Sequence, residues 1–368
     1  MWIKNTHSKR YRTNINTQIT LALIIHNQRI EFGELTNAVR SMDLETVADW
    51  EHALYTFLNN WLDDSASITV QTSGSTGAPK VISLPKEMMK ASARMTNEFF
   101  DLNQNSHALL CLSANYIAGK MMIIRALIGD YDLTIQPPAS APKIDRQYDF
   151  CAMVPMQVEL LLQNSEGEAQ LNKIKKLIIG GSAITSALQN RLQSLQTAGY
   201  STYGMTETVS HIALQRLNGV NQSDCYNAIQ GVHFTTDERD CLIIHAPHLQ
   251  PTPFITNDVV TLLHPTSFRW LGRYDNVINS GGIKHHPEVL AKKIESLINR
   301  RFYFCSAPDP TLGEKLILMI EGEPFDTENL EIQLKTALSK YEYPKEIRFM
   351  EKFEETENGK VKIVNGER

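Results

Sequence analysis

The stretch TSGSTGAPK, residues 72–80, carries the strongest signal in this sequence. Gly74 and Gly77 allow positive φ angles and a close approach of the backbone to a ligand. Successive N–H groups in such a loop can face one concavity and bind an anion. The hydroxyl and ammonium groups that could join them belong to Thr72, Ser73, Ser75, Thr76 and Lys80. The composition predicts a phosphate-binding loop, although a flexible surface turn has the same composition.

The flanks of this loop have strand character. Residues 68–70 and 81–84 are rich in β-branched and apolar side chains. The loop is not the common P-loop, in which lysine directly follows glycine and is itself followed by serine or threonine. Here Ala78 and Pro79 separate Gly77 from Lys80. Spacing alone therefore leaves both interpretations of the loop open.

The composition is that of a globular protein. The chain has 368 residues, which is enough for two domains. Of these residues, 42% are hydrophobic and 21% are charged. A net charge of −5 gives no reason to expect nucleic-acid or membrane binding. The five cysteines are scattered without a Cys-x-x-Cys pair, so neither a zinc site nor a disulfide framework is indicated. No apolar signal segment opens the sequence, and we expect a cytoplasmic location.

Strand-like and helix-like segments alternate from about residue 65 to residue 205. The pattern predicts strands at 109–113, 150–154, 176–179 and 200–203, and helices at 44–62, 86–100, 119–128, from 157, and at 186–196. Such alternation is typical of an α/β domain with a largely parallel sheet. Ligands bind beyond the carboxyl ends of such strands, where the loops after Ile179 and Tyr203 would lie.

The pattern changes after residue 240. Short strands at 241–244, 254–255, 259–263 and 268–271 predict a small β-rich region. The tail predicts helices at 287–299 and 327–340 with strands at 303–306, 315–321 and 346–350. We therefore expect a large α/β N-terminal domain with mostly parallel sheets and a small β-rich subdomain, residues 1–273. A small, mobile α+β C-terminal domain would follow, residues 274–368.

Three polar clusters could carry chemistry. Glu207, in the segment YGMTE at 203–207, could ligate Mg²⁺ or could be an acid in the first turn of a helix. Asp258 could accept hydrogen bonds from ribose hydroxyls or could be a turn residue. Lys360 follows Asn358 and Gly359, a tight-turn signal, and taken alone it is a solvated hairpin lysine.

Together and in this order, the clusters resemble the adenylate-forming superfamily of acyl-CoA synthetases, adenylation domains and luciferases. Residues 72–80 match its phosphate loop, and residues 203–207 match its Tyr-Gly-Met-Thr-Glu segment. Asp258 stands where the superfamily has Thr-Gly-Asp, with Asn257 replacing the glycine. GRYD at 272–275 matches the Gly-Arg-x-Asp hinge, and Lys360 matches the Gly-Lys near the end. The phosphate loop begins at residue 72, so the resemblance implies an N-terminal domain abbreviated at its start.

The resemblance implies a two-step reaction. A carboxylate attacks the α-phosphorus of ATP to give acyl-AMP and pyrophosphate, and a thiol, usually that of coenzyme A, then displaces AMP. Positive charge and hydrogen-bond donors are needed because negative charge redistributes over the phosphates in the transition state. The resemblance implies that Glu207 holds Mg²⁺, that Thr206 contacts the α-phosphate, and that Lys360 bridges the acyl oxygen and the phosphate.

The other implied roles concern the nucleotide and the thiol. The ATP-binding residues by resemblance are the loop residues Thr72, Ser73, Gly74, Ser75, Thr76, Gly77 and Lys80, together with Gly180, Gly181, Ser182, Tyr203, Gly204, Met205, Asp258 and Arg273. Asp275 falls at the hinge about which the C-terminal domain rotates between half-reactions. Gly281 and Gly282 would line the channel for the pantetheine of coenzyme A, where absent side chains leave room.

The acid substrate is suggested by residues 112–127, which are most similar to o-succinylbenzoate–CoA ligases of menaquinone biosynthesis. The acid pocket would include Tyr116, Gly119 and Lys120, although Tyr116 stands where the superfamily often has histidine. A substrate with two carboxylates needs a cation for the unreacted one, and Lys120 and Arg125 are candidates. Both could instead be solvent-facing charges on a helix.

Two other functions stay open at this point. One is an adenylating ligase for another aryl or acyl acid, acting with coenzyme A or loading a carrier protein. The other is a non-catalytic nucleotide-binding homologue, against which the presence of Lys80, Glu207 and Lys360 speaks. In each case we expect small-molecule ligands and neither a nucleic acid nor a membrane partner.

The match at Lys360 generates a first prediction. Lys360→Ala should cripple formation of the acyl-adenylate, because the charge between acyl oxygen and phosphate is lost. Thioester formation from supplied acyl-AMP should stay largely intact. Rates of pyrophosphate release and of AMP release from acyl-AMP measure the two half-reactions. Equal loss of both rates would contradict the role assigned to this lysine.

Overall fold

The computed structural model describes residues 22–25, 28–42, 44–71, 81–355 and 361. Its strands form one sheet of thirteen, a second of five and a separate pair. The predicted phosphate loop at 72–80 and Lys360 lie outside the described residues.

The first half of the described chain alternates strands with helices. Its early elements are β1 (Ala22–Ile25), β2 (Gln28–Glu31), α1 (Phe32–Ser41), α2 (Asp49–Leu62), β3 (Ser67–Gln71), β4 (Val81–Pro85), α3 (Lys86–Phe100), β5 (His107–Leu110), α4 (Ile117–Gly129) and β6 (Asp132–Ile135). The later ones are β7 (Tyr148–Met153), α5 (Pro155–Leu161), α6 (Ser165–Leu171), β8 (Ile174–Ile179), α7 (Ser186–Arg191) and β9 (Ala198–Gly204).

Six of these strands confirm the expected parallel sheet. They lie in the order β1-β6-β5-β7-β8-β9, and each neighbouring pair runs parallel. Strands β7 and β8 are mostly buried, as expected where helices cover both faces of a parallel sheet. The separate pair, β3 and β4, is antiparallel up to Gln71 and Val81, so the two residues that flank the predicted phosphate loop lie side by side.

The β-rich region continues the same sheet. It contributes β10 (His211–Arg216), β11 (Tyr226–Ala228), β12 (His233–Thr236), β13 (Cys241–His245), β14 (Phe254–His264) and β15 (Ser267–Arg273). Antiparallel pairing of β10 with β9 joins it to the parallel half. The two short strands predicted at 254–255 and 259–263 are a single strand, β14. Asn257 and Asp258 resembled a turn, but the backbone stays extended, and Asp258 pairs with Arg273 of β15, while the pairing with β13 is irregular between Ile255 and Val259.

The remaining elements build the smaller sheet. They are β16 (Ile278–Ser280), β17 (Ile283–His285), α8 (Pro287–Ile294), β18 (Phe302–Asp309), β19 (Gly313–Glu321), α9 (Glu328–Ala337) and β20 (Glu346–Met350). Both helices pack on it through buried side chains such as Ile294, Leu334 and Leu318. The chain passes from one sheet to the other between Arg273 and Ile278. This crossing lies at the expected domain boundary, which stays a prediction.

Several helix bounds differ from the predictions for local reasons. The helix expected over 44–62 begins only at Asp49, where Glu51 accepts a hydrogen bond from the N–H of Ala48. The helices expected at 186–196 and 287–299 end early, and each is followed by a 3₁₀ turn. Such tightening is common at helix ends. No helix in the described ranges combines the length and the apolar composition of a membrane span.

Candidate nucleotide site

Two loops meet at the carboxyl ends of β8 and β9. Because these strands are parallel neighbours, Gly180 after β8 lies beside Thr202 near the end of β9. A Cβ on Gly180 would lie 2.1 Å from the Thr202 hydroxyl oxygen, so no side chain fits there. Gly181 has a φ of +92°, which favours glycine. It lies with Ser182 in an exposed loop, next to the strand that ends in Tyr203 and Gly204.

Asp258 is the centre of a hydrogen-bonded cluster. Its Oδ2 accepts from the Tyr203 hydroxyl at 2.7 Å, and its Oδ1 accepts from Trp270 Nε1 at 3.2 Å. Arg273 pairs with Asp258 across β14 and β15, with Nη1 3.8 Å from Oδ1. The structure therefore joins three predicted ribose- and adenine-binding residues, Tyr203, Asp258 and Arg273.

This cluster fixes the protonation of Tyr203. Burial, followed by the neighbouring charge of Asp258, raises the pKa of Tyr203 well above its ordinary value. The phenol therefore stays protonated at neutral pH and serves as a donor to Asp258. The Asp258 carboxylate keeps acceptor capacity, since a carboxylate has about four lone-pair sites. That capacity suits it to accept hydrogen bonds from a diol.

Thr206 and Glu207 lie in a tight turn, residues 205–210, between β9 and β10. This turn contains no helix, so the alternative of Glu207 as a helix N-terminal acid is wrong. The turn begins after Gly204, where a Cβ would lie 2.3 Å from the carbonyl oxygen of Ser210. Glu207 is exposed and has no hydrogen-bond or ion-pair partner among the described residues. Its carboxylate is therefore available to a ligand.

The residues of this turn fit a magnesium ion that the protein and the phosphates of a nucleotide would bind together. In the described ranges, no group of three or more His, Cys, Asp or Glu side chains could hold a metal. Mg²⁺ is commonly bound by one or two carboxylates together with substrate phosphates and water. Glu207, as a single exposed carboxylate, matches that donor set.

The segment predicted to bind the acid lies on α4, next to this turn. Gly119 packs against the loop before the helix, where a Cβ would lie 2.2 Å from the carbonyl oxygen of Ser113. That contact accounts for the glycine without a substrate. Tyr116 precedes the helix and is 61% exposed. Lys120 is buried, and its Nζ donates to the carbonyls of Ala114 and Asn115 at 2.6 and 2.8 Å.

Arg125 is not a solvent-facing charge, and that alternative is wrong for Lys120 as well. The Arg125 side chain is 1% exposed. Its Nη2 donates to the Ser210 hydroxyl at 2.6 Å, and its buried Nε has no hydrogen-bond partner among the described residues. Burial lowers the pKa of Arg125 to about 10 and that of Lys120 to about 8. Both stay largely cationic at neutral pH.

The hinge candidate lies between the two sheets, and the thiol-channel candidates lie in a hairpin of the smaller sheet. Asp275 sits in a 3₁₀ turn, with Oδ2 3.5 Å from Arg273 Nη2. Gly281 and Gly282 form the two-residue turn of the β16–β17 hairpin, with φ of +59° and +81°. Two positive φ angles are what such a turn demands. Their role in a channel stays a prediction.

A contact between the sheets involves Gly272. Its φ is +148°, and a Cβ there would lie 2.2 Å from Oε2 of Glu288, at the start of α8. Oε1 of Glu288 accepts from Asn276 Nδ2 at 2.7 Å and from the N–H of Arg273 at 3.3 Å. The Glu288 carboxylate thus fills the space that a side chain at residue 272 would need.

Sequence reasoning missed two residues of this site. Trp270 donates to Asp258, but an aromatic residue in a strand is ordinarily predicted to be part of the hydrophobic core. Thr208 holds the turn that bears Glu207, but its hydroxyl looked like one of several in the segment. Neither has a spacing signal in the sequence.

Comparison with known proteins decides the family. The pattern of the family described as AMP-binding enzyme matches residues 16–238, more than half of the chain. The chain belongs to the AMP-binding enzyme family. The resemblance inferred from the motifs is confirmed.

Relatives of this AMP-binding enzyme have related names. It is 23% identical over 321 residues to a 2-succinylbenzoate–CoA ligase of Lactococcus lactis, covering 81% of this chain and 70% of the relative. A Staphylococcus aureus protein of the same name is 24% identical, in an alignment that covers 82% of this chain and 66% of that relative. The chain thus spans about two thirds of the length of these relatives.

Solved structures agree on the fold. An acyl-CoA synthetase (AMP-forming)/AMP-acid ligase II-like protein from Dyadobacter fermentans is 36% identical, with a TM-score of 0.61 over 88% of this chain and 95% of the other. The o-succinylbenzoate coenzyme A synthetase of Bacillus subtilis, in complex with ATP and magnesium ion, is 15% identical. Its TM-score is 0.73, over 94% of this chain and 96% of that one.

The cluster around Asp258 generates a prediction for this AMP-binding enzyme. Asp258→Asn should weaken AMP binding about ten-fold or more, because hydrogen bonds to a charged acceptor are the stronger kind. Asp224→Asn is the matched control, since Asp224 lies at the surface in an ion pair with Arg269. Isothermal titration with AMP measures both. Equal affinities for the two variants would contradict the assignment.

Proposed function

We propose that the protein is an ATP-dependent acid–CoA ligase acting on 2-succinylbenzoate. It would form 2-succinylbenzoyl-CoA, AMP and diphosphate through an acyl-adenylate. One observation carries the proposal: the turn that bears Thr206 and Glu207 contacts Arg125, a buried cation without a carboxylate partner among the described residues. The proposed phosphate and metal ligands therefore lie next to a buried positive charge that can attract an anion.

The nucleotide half of the reaction uses the clustered residues. Asp258 and Arg273 would receive the ribose, with Tyr203, Gly204, Met205 and the loop at 180–182 around adenine. Residues 72–80 would hold the pyrophosphate, and Thr206 the α-phosphate. Glu207 would hold Mg²⁺, which supplies charge neutralisation for the phosphates. Lys360 would bridge the reacting oxygens.

The acid half depends on the buried charge. A guanidinium in the protein interior without a carboxylate partner is costly, and an anion bound in the functional complex would offset that cost. The Ser210 hydroxyl accepts from Arg125, and its own proton can go either to Nδ1 of His211, 3.4 Å away, or to a ligand. Through Ser210, Arg125 would favour a second, unreacted carboxylate. Lys120 is already bonded to two carbonyls and contributes mainly long-range positive charge.

The thiol half would use the smaller sheet. Residues 1–273 would bind ATP and the acid, and residues 274–368 would rotate about Asp275 between the half-reactions. Gly281 and Gly282 would then border the path of the pantetheine thiol, whose proton leaves as the thioester forms and AMP departs. All five cysteines are free thiols, which suits a cytoplasmic enzyme. The names of the relatives favour coenzyme A as acceptor and 2-succinylbenzoate as acid.

A panel of acids tests the proposal. Pyrophosphate release should respond to 2-succinylbenzoate with ATP and Mg²⁺, and AMP release should then require coenzyme A. A response to a different acid alone would overturn the substrate. No response to any acid, with AMP still bound, would point to a nucleotide-binding homologue.

Arg125 provides a prediction about specificity. Arg125→Met should raise the KM for 2-succinylbenzoate about ten-fold or more, because the second carboxylate loses its compensating charge. A monocarboxylic analogue should be affected little, and the fold should tolerate the change because an unpaired buried charge is removed. Steady-state kinetics of pyrophosphate release with both acids provide the measurement.

Arg94→Met is the control, because Arg94 is exposed on the neighbouring helix α3. It should change neither KM. Parallel losses for the dicarboxylic and monocarboxylic acids in Arg125→Met would refute a charge-specific role.

A further inference from the structure

The turn at residues 205–210 is held by one side chain that the proposed reaction does not use. Thr208 is fully buried. Its Oγ1 accepts from the N–H of Met205 at 3.0 Å and lies 3.0 Å from the Met205 carbonyl and 2.8 Å from the Ser210 carbonyl. A hydroxyl has one proton, so it donates to one carbonyl at a time. The hydroxyl thus ties together both ends of the turn.

The backbone of the turn needs such a tie. Val209 has a φ of +67°, a conformation that β-branched residues rarely adopt. It persists only where the surroundings hold it, and Val209 is itself fully buried. The N–H of Val209 donates to the carbonyl of Thr206 at 2.9 Å, so the unusual residue directly fixes the position of Thr206.

The end of the turn is anchored on two helices. Ser210 accepts from Arg125 of α4, and His211 Nε2 lies 3.2 Å from the hydroxyl of Thr96 on α3. Burial, and then the charge of Arg125, lowers the pKa of His211, so this histidine is neutral. Ser210 and His211 are therefore anchored on the two helices, whereas the part of the turn with Thr206 and Glu207 is tied to them through Thr208.

We propose that Thr208 is a positioning residue for the phosphate and metal ligands. Its hydroxyl sets the geometry in which Thr206 and Glu207 face the nucleotide, without touching substrate itself. This inference rests on the proposed function, since Glu207 is assigned there to Mg²⁺. A buried hydroxyl with a structural role alone would stabilise the fold and leave the metal dependence unchanged.

The test compares three variants. Thr208→Val removes the hydroxyl and keeps the shape, and Thr208→Ser keeps the hydroxyl. Thr197→Val is the matched control, because Thr197 is also buried and its hydroxyl donates to the Leu171 carbonyl at 2.7 Å before β9. The measurements are the Tm, kcat for acid-dependent pyrophosphate release, and the Mg²⁺ concentration at half-maximal rate.

Thr208→Val should lower kcat about ten-fold or more and raise the half-maximal Mg²⁺ concentration several-fold. Thr208→Ser should restore both, and Thr197→Val should lower Tm without moving the Mg²⁺ dependence. Equal Mg²⁺ dependence in Thr208→Val and Thr197→Val would overturn the inference, as would failure of the serine variant to restore it. If Thr208→Val does not fold, Thr208→Cys, with a weaker donor, replaces it.

A second readout separates this inference from the proposed reaction. Titration of each variant with ATP, with and without Mg²⁺, measures how much the ion strengthens binding. That gain should shrink in Thr208→Val and persist in Thr208→Ser and Thr197→Val. If the wild type releases no pyrophosphate, the proposed reaction fails, and these titrations still decide the role of Thr208. If Mg²⁺ strengthens ATP binding as much in Thr208→Val as in the wild type, the positioning role of Thr208 is wrong.

Discussion

The hydrogen bond between Tyr203 and Asp258 is the interaction on which the geometry of the site depends. Tyr203 lies on β9 and Asp258 on β14, and three strands separate them in the sheet. In a flat sheet, four spacings of about 4.8 Å would place these strands about 19 Å apart. A 2.7 Å contact therefore requires the sheet to curl strongly where it changes from parallel to antiparallel.

Aromatic side chains fill the inside of that curl. Tyr203, Tyr226, Phe268 and Phe234 contact one another in sequence, with ring centroids 4.9 to 5.6 Å apart. They supply the apolar area that makes the bend stable, and they bury the phenol of Tyr203 enough to keep it protonated. Fold and nucleotide site thus rest on the same cluster. A substitution in this aromatic cluster would therefore disturb both the bend of the sheet and the geometry of the site.

How much the sequence predicts depends on how local the determinant is. Helix α3 has the predicted bounds, and the parallel strands follow from alternation of apolar runs with helical periodicity. The single strand β14 was missed, because Asn257 and Asp258 resemble a turn in the sequence, whereas pairing of Asp258 with Arg273 on β15 keeps the backbone extended. Arg125 was equally beyond local reasoning, since only packing against α3, β5 and β6 shows that its helix is buried from Gly119 to Ala126. Thr208 gives no periodic signal at all.

The contact of Gly272 with Glu288 places residue 272 between the larger sheet and helix α8, which packs on the smaller sheet. Any side chain there would need a backbone angle that only glycine adopts easily, and it would also displace a carboxylate that accepts two hydrogen bonds. The two obstacles are independent. Shortening Glu288 would open the space but leave the backbone angle unfavourable, so a single compensating substitution cannot rescue a larger residue. Residue 272 is therefore restricted to glycine both by its own backbone angle and by the position of the Glu288 carboxylate.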